Sequence, residues 1–324
     1  MISIIGSETL LGRELRESLA EHGFGRGLQL IGAQDELAIT EESGEPAVIT
    51  PLDADRLVDS DVIFCAGTPD STRKAYDLAG EKPTFIDLTY ALEDVPEARL
   101  RAPMVDATAT PSRVHVLAHP AATAIALVLS NMPEPVRHSV IQIFEPASER
   151  GQAGIHELQQ QSTSLLSFRQ MEKRVFDAQL GFNMLARYGE DAPDALQAVE
   201  HRIEKHLASL LVLVKNVPMP SLRLTQAPVF HGYSLSFWIE LEKRPDLTEI
   251  EECLASPHIE VRSAEFDAPS NVGAAGQRGL IAGVIEPDRN NPRGVWIWAV
   301  ADNFRLLVDN AIDVARVMLP GARS

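Results

Sequence analysis

Residues 114–118 form a short apolar run that reads as the end of a buried strand, and the uncharged residues 124–130 read as a helix. Between them, residues 119–123 form a turn containing Pro120. Strand ends that feed helix N-termini are where α/β proteins place their chemistry, because backbone N–H groups and the helix dipole converge there. Here the turn offers Ala121 and Ala122, neither of which can act as nucleophile, base or ligand. His119 is the titratable group in this turn, and it reads either as a ligand contact or, more simply, as a histidine satisfied by the chain itself.

A second place is the turn Gly6-Ser7-Glu8-Thr9-Leu10-Leu11-Gly12, which follows the β-branched run of residues 2–5. It precedes Leu11, Leu15 and Leu19 at helical spacing. Strand, glycine turn and helix in this order are how a dinucleotide fold begins. Gly6 and Gly12 stand at the first and seventh positions, but the fourth is Thr9, where the backbone would have to approach a pyrophosphate. Glu8 adds a carboxylate, which repels phosphate. The turn reads either as a cofactor site made by Gly6, Thr9 and Gly12 or as a strand–helix turn that has kept its shape without its ligand.

Other candidates are weaker. His231 lies two residues before Tyr233 and in a strand would share its face, although FHGY also reads as an exposed turn. His156 and Glu157 lack the second histidine of a zinc motif, so no metal is expected. Glu200, His201, Arg202, Glu204 and Lys205 read as the solvated face of a helix, and Asp302 or Asn303 as the cap of the last helix, with Arg305 structural.

The elements that must position these groups fall into two halves. Strands at 2–5, 28–31, 61–66, 84–88 and 114–118 alternate with helices at 11–19 and 71–79, the latter capped by Asp70 or Ser71. A weak strand at 103–105 and an acidic loop at 33–44 complete this half, which predicts a parallel, doubly wound sheet. The second half has strands at 140–144, 222–228, 233–241 and 259–261, and a hairpin of 280–285 with 294–300. Helices at 155–170, 194–213, 247–255 and 303–319 and a small-residue loop at 147–154 make it an α+β domain. At roughly 150 residues per domain, 324 residues make two. The net charge of −17 argues against nucleic acid or an anionic membrane as partner. Two distant cysteines, Cys65 and Cys253, read as reduced thiols. With no signal-peptide pattern at MISIIG and no apolar run near the ~18 residues of a span, a cytoplasmic protein is expected.

Several segments together carry a likeness. The N-terminal turn is similar to G-A-T-G-x-V-G, AHPAATA to A-N-P-N-C-S-T, and QAPVFHGYS to R-V-P-V-x-x-G-H-S. WAVADNFRLLVDNAIDVAR is similar to W-x-V-x-D-N-L-R-K-G-A-A-x-N-A-V-x-I-A. In their order and spacing, these make the chain resemble the aspartate-semialdehyde dehydrogenase family over essentially its whole length, and within it a cysteine-less paralogue group. The resemblance implies an N-terminal Rossmann-like NAD(P)-binding domain, 1–123 plus 303–324, and an α+β dimerisation and substrate domain, 124–302. It also implies NADP as cofactor and a homodimer.

In that family a cysteine thiolate attacks the aldehyde, hydride passes to NADP and phosphate releases the acyl group. By the resemblance, the nucleophile's position is Ala122, the acid/base histidine's Tyr233 and the substrate-clamping arginine's Gln226. The phosphate-site arginine falls on Glu93, the Gly-Ala-Gly cofactor loop on Ser148-Glu149-Arg150-Gly151, and a substrate glutamate on Glu204. Two functions stay open. One is a protein inactive in that reaction, acting by binding a small metabolite, a nucleotide or the true dehydrogenase. The other is an oxidoreductase of amino-acid biosynthesis that uses NAD(P) with different residues, such as His119, Tyr233 or His231.

Overall fold

The computed structural model describes residues 1–25, 27–33, 38–42, 45–108, 110–214 and 217–319. They form two compact units, Met1–Ala118 with Leu307–Ser324, and His119–Leu306.

The first unit holds strands β1 (Ile2–Ile5), β2 (Leu28–Ile31), β3 (Ala38–Glu42), β4 (Glu45–Ile49), β5 (Val62–Cys65), β6 (Thr84–Asp87), β7 (Ala98–Arg101) and β8 (Val114–Leu117). Its helices are α1 (Leu10–Glu21), α2 (Ala54–Leu57) and α3 (Pro69–Leu78). Six of the strands form one sheet in the order β2-β1-β5-β6-β8-β7, with every pairing parallel. Strands in such a sheet are covered on both faces, which is why VIFC in β5 and VHVL in β8 are buried at every position. One face packs Ile4, Phe64 and Ile86 against Leu15, Leu19, Val308 and Ile312. The other packs Ile5, Ile63 and Phe85 against Leu57 and Ala75.

Three expectations for this half change. Residues 38–42 pair with 45–49 as an antiparallel hairpin rather than a loop; residues 34–37 and 43–44 lie outside the described residues. Helix α3 begins at Pro69, not Ser71, because proline suits a first helical turn and Thr68 supplies the cap. Thr68 Oγ1 accepts from Ser71 N and Ser71 Oγ from Thr68 N, a reciprocal capping box. Residues 103–105 form a turn, and the edge strand is β7 instead.

The second unit begins with helix α4 (Pro120–Ser130), then strand β9 (Val136–Glu145) and a 3₁₀ turn, Ala147–Arg150, that runs into α5 (Gly151–Leu166). After a long irregular segment come α6 (Leu196–Leu211), β10 (Ser221–Gln226), β11 (Tyr233–Leu241), α7 (Leu247–Leu254), β12 (Ile259–Arg262) and α8 (Asn271–Ala274). Strands β13 (Leu280–Pro287) and β14 (Gly294–Ala301) form the expected antiparallel hairpin, and α9 (Asn303–Met318) starts here. The mixed sheet runs β10-β9-β11-β14-β13-β12, parallel at β10/β9 and β12/β13. Its two-residue period buries Ile141, Ile143, Leu235, Phe237, Ile239, Val295 and Ile297 on one face. The register sets Val140, Trp238 and Trp296 in one row across the other face, where Phe144 and Trp298 also stand 6.0 Å apart.

Two expected loops are helical. Pro120 opens α4, so Ala121 and Ala122 lie inside its first turn, and Gly151 opens α5 within the expected 147–154 loop. The irregular segment 167–195 is held by two side chains of α5. Glu157 accepts from the backbone N–H groups of Arg174 (2.7 Å), Val175 (2.6 Å) and Phe176 (3.2 Å). Gln161 accepts from Leu180 and Gly181 and donates to the carbonyls of Glu172 and Ala178. Glu157 is thus a buried latch, and among the described residues no group of three acidic, histidine or cysteine side chains could hold a metal. Nor is any described helix long and apolar enough to cross a membrane. Glu157→Ala strands three backbone donors, and urea unfolding should show a loss of at least about 3 kcal/mol, with Glu157→Gln losing less. A loss of a few tenths would contradict the latch.

Candidate functional site

The side chains of interest in the second unit meet where β9, β10, β11, α4, α6 and α9 present their ends. His119 caps α4: its Nδ1 accepts from Ala121 N at 3.3 Å, and its own backbone N–H donates to Nδ1 of His206 at 2.9 Å. Both histidines are buried. Burial first, then the nearby His206, Arg202 and Arg150, holds the His119 imidazole well below its ordinary pKa, so it is neutral. Ala122, one turn on, is fully buried.

Tyr233 opens β11 and is also fully buried, with its ring edge-on to His119 at 5.8 Å. Its hydroxyl favours the ionised form of the Glu149 carboxyl, after Arg150 and Asn303 and against burial. Gln226 closes β10. Its amide donates to the carbonyls of Glu145 (2.8 Å) and Ala227 (3.2 Å), and its oxygen accepts from the Tyr188 hydroxyl at 2.5 Å. These three internal bonds engage both the oxygen and the nitrogen of the amide.

Around these lies an ionic cluster. Arg150 Nη2 stands 2.9 Å from Glu145 Oε1, and both side chains are almost wholly buried. The guanidinium also sits 5.5 Å over the Tyr188 ring. Burial outweighs the pull of Arg150 on Glu145 and pushes its carboxyl up to about 7; burial raises Glu149 as well. Asn303, at the head of α9, binds the cluster together. Its oxygen accepts from Gly232 N (3.0 Å) and Ser148 Oγ (3.3 Å), and its amide donates to Glu149 Oε1 (2.8 Å). The cap expected of Asp302 or Asn303 falls to Asp302, which accepts from Phe304 N and Arg305 N.

The positions singled out from sequence thus divide. Ala122, Gln226 and Tyr233 belong to one unit; Gly6, Thr9, Gly12 and Glu93, a partly buried turn residue after β6, belong to the other. His231 is exposed in its turn, against the Phe304 ring. Glu204 is half-buried, 3.2 Å from the exposed His201. Glu200, read as solvated, is instead buried and accepts from Leu224 N at 2.7 Å and from Arg223. Sequence reasoning does not single out Glu145, Tyr188 or His206, and it names Glu149 and Arg150 only within the stretch aligned with the cofactor loop. Two of these were readable: Glu145 shares the inward face of β9 with Ile141 and Ile143, and His206 continues the apolar stripe of Ile203 and Leu210.

The turn after β1 was the expected cofactor site. Thr9 is the N-cap of α1, its Oγ1 accepting from Gly12 N at 2.9 Å. Glu8 Oε1 accepts from Ala33 N at 2.8 Å. A pyrophosphate needs the free backbone N–H groups of this turn and helix start. The residues present do not fit it: the Gly12 N–H is taken by Thr9, and the carboxylate of Glu8 stands next to Thr9 in sequence.

Comparison with known proteins agrees with this geometry at the level of fold. A family model described as semialdehyde dehydrogenase, dimerisation domain, matches residues 134–306, more than half of the chain. A Pseudomonas aeruginosa protein called a USG-1 protein homolog is 33% identical over 159 residues, 49% of this chain and 47% of that protein. An aspartate-semialdehyde dehydrogenase of Rickettsia bellii is 24% identical over 94% of this chain and 93% of its own length. Among solved structures, that of a probable aspartate-semialdehyde dehydrogenase from Pseudomonas aeruginosa superposes with a TM-score of 0.85 at 25% identity over 99% of both chains. An aspartate-semialdehyde dehydrogenase with NADP from Candida albicans does so at 0.68 and 12% identity, covering 99% of this chain and 98% of its own.

The cluster has a pH signature. The Glu145 pKa rises on folding from 4.5 to about 7, so in that window the native state holds a proton the unfolded chain lacks. The stability this group contributes is present below 4.5 and is lost as pH rises through 7, a change on the order of 3 kcal/mol. Glu145→Gln removes the titration. The stability of the unmutated protein minus that of the variant, from urea unfolding, should fall between pH 5 and pH 8. A difference that rises with pH would contradict burial as the dominant influence.

Proposed function

The chain belongs to the aspartate-semialdehyde dehydrogenase family, and from that premise we propose that it is a member silent in the family reaction, acting by binding. The observation that carries this is Ala122: a methyl group, fully buried in the first turn of α4, stands at the position the resemblance gives to the attacking thiolate. No step that begins with sulfur attacking an aldehyde can start there. The other positions support the reading. Tyr233 is a phenol, fully buried with its ring against His119, and phenols near pKa ~10 are poor bases at neutral pH. Gln226 carries no charge and is bonded to Tyr188 and Glu145.

Loss of a nucleophile that works with a base costs on the order of 10⁶-fold in rate, and loss of its partners adds little to a reaction that no longer runs. Purified protein given aspartate semialdehyde, NADP and phosphate should therefore show no NADPH formation above the buffer control. Ala122→Cys alone should not restore it, because base and clamp are still missing. Turnover by the unmutated protein would overturn the proposal.

Binding to a second copy of the chain is the part of the role with structural support. The row Val140, Trp238 and Trp296 with Trp298 beside it leaves a broad aromatic face on the sheet of the matched dimerisation domain. Val140 and Trp296 are about half exposed. An apolar, self-complementary face suits a two-fold interface. Sedimentation should give a dimer, and Trp238→Glu with Trp296→Glu a folded monomer; an unaltered dimer would place the interface elsewhere. A small metabolite or the active dehydrogenase is the remaining candidate partner, and a thermal-shift screen reads either through stabilisation by mass action.

A further inference from the structure

We infer that the turn 6–12 has been converted from a ligand cradle into a self-capped structural joint, closed to the pyrophosphate of a dinucleotide by the chain's own Thr9 and Glu8. This concerns the first unit alone and does not depend on the missing thiol of the second.

The glycines show the conversion. In a nucleotide-binding turn the first glycine allows the tight turn, the second lets the backbone reach the pyrophosphate, and the third lets helix and strand pack closely. Gly6 has φ +78, and a Cβ there would fall 2.1 Å from the Gly67 Cα. A Cβ on Gly12 would fall 2.1 Å from the Gly6 carbonyl oxygen. Both retained glycines are thus required by packing within the unit. The glycine whose purpose is the ligand is the one replaced, by Thr9.

The side chains finish the closure. Thr9 Oγ1 accepts from Gly12 N (2.9 Å) and has the carbonyls of Gly6 (2.9 Å) and Ala66 (2.8 Å) as acceptors for its single proton. One hydroxyl therefore ties the β1 turn, the end of β5 and the first turn of α1. Glu8 Oε1 takes Ala33 N, just beyond β2, and puts a negative charge in the turn. The N–H of Gly12 that would bind an anion already has an acceptor, and the carboxylate next to Thr9 repels one. A cap of this kind also stabilises the helix that it starts, so the Gly12 N–H now serves the fold.

The test is a calorimetric titration of the full-length protein with NADP and, separately, with inorganic pyrophosphate, together with the double variant Glu8→Ser/Thr9→Gly and the single variant Glu8→Gln. The inference expects no saturable binding by the unmutated protein at millimolar ligand. It expects at least a tenfold gain in NADP affinity for the double variant, with a lower melting temperature because the cap is gone. Glu8→Gln keeps an acceptor for Ala33 N and loses the charge, so it should stay folded and gain less. Saturable NADP binding by the unmutated protein would overturn the inference. So would a folded double variant, or a folded Glu8→Gln, with no gain. Because the readout is binding, a failure here is separate from any turnover that would sink the silent reading of the second unit.

Discussion

The ion pair of Arg150 with Glu145 constrains the rest of the second unit. Both charges are out of water, which is costly unless each is paired and hydrogen-bonded. Breaking such a pair by removing one partner typically costs ~3–5 kcal/mol. The neighbours are arranged to keep it: Tyr188 lies under the guanidinium, and Gln226 is pinned between the Tyr188 hydroxyl and the Glu145 carbonyl. Asn303 in turn holds Glu149.

Internal bonds occupy polar groups in the first unit as well. The parallel sheet, its two packed faces and the glycines that allow close approach are all retained, because each is needed for the fold. What has changed is the residue with no structural duty, and its replacement has acquired one. Function and stability draw on the same small set of backbone donors, and the chain's own Thr9 hydroxyl now holds one of them.

How much of this was legible in sequence follows from range. The parallel sheet was readable because short β-branched runs between helices have few other solutions, and β11 because Tyr233 to Leu241 alternates strictly. The reading of Ala122 as the nucleophile's position rests on the resemblance alone; a pair of alanines before an apolar helix carries no signal by itself. The starts of α3, α4 and α5 were placed late, since Pro69, Pro120 and Gly151 read as breakers when in fact they open helices. The cluster was not legible. Glu145, Arg150, Tyr188, Gln226 and Asn303 are spread over more than 150 positions, and no local pattern says that they meet. Glu200 misled for a related reason: on a charged helix face nothing local distinguishes the carboxylate that caps a strand from those in water.

The central claim is that the polar groups at the family's ligand positions are occupied by the chain itself. A crystal structure of the protein grown with NADP and phosphate at saturating concentrations tests this most directly. The account predicts that Arg150 stays on Glu145, Gln226 on Tyr188 and Thr9 on the Gly12 N–H, with no dinucleotide against the turn. A dinucleotide seated there, with Thr9 rotated off Gly12 and Glu8 off Ala33, would contradict it.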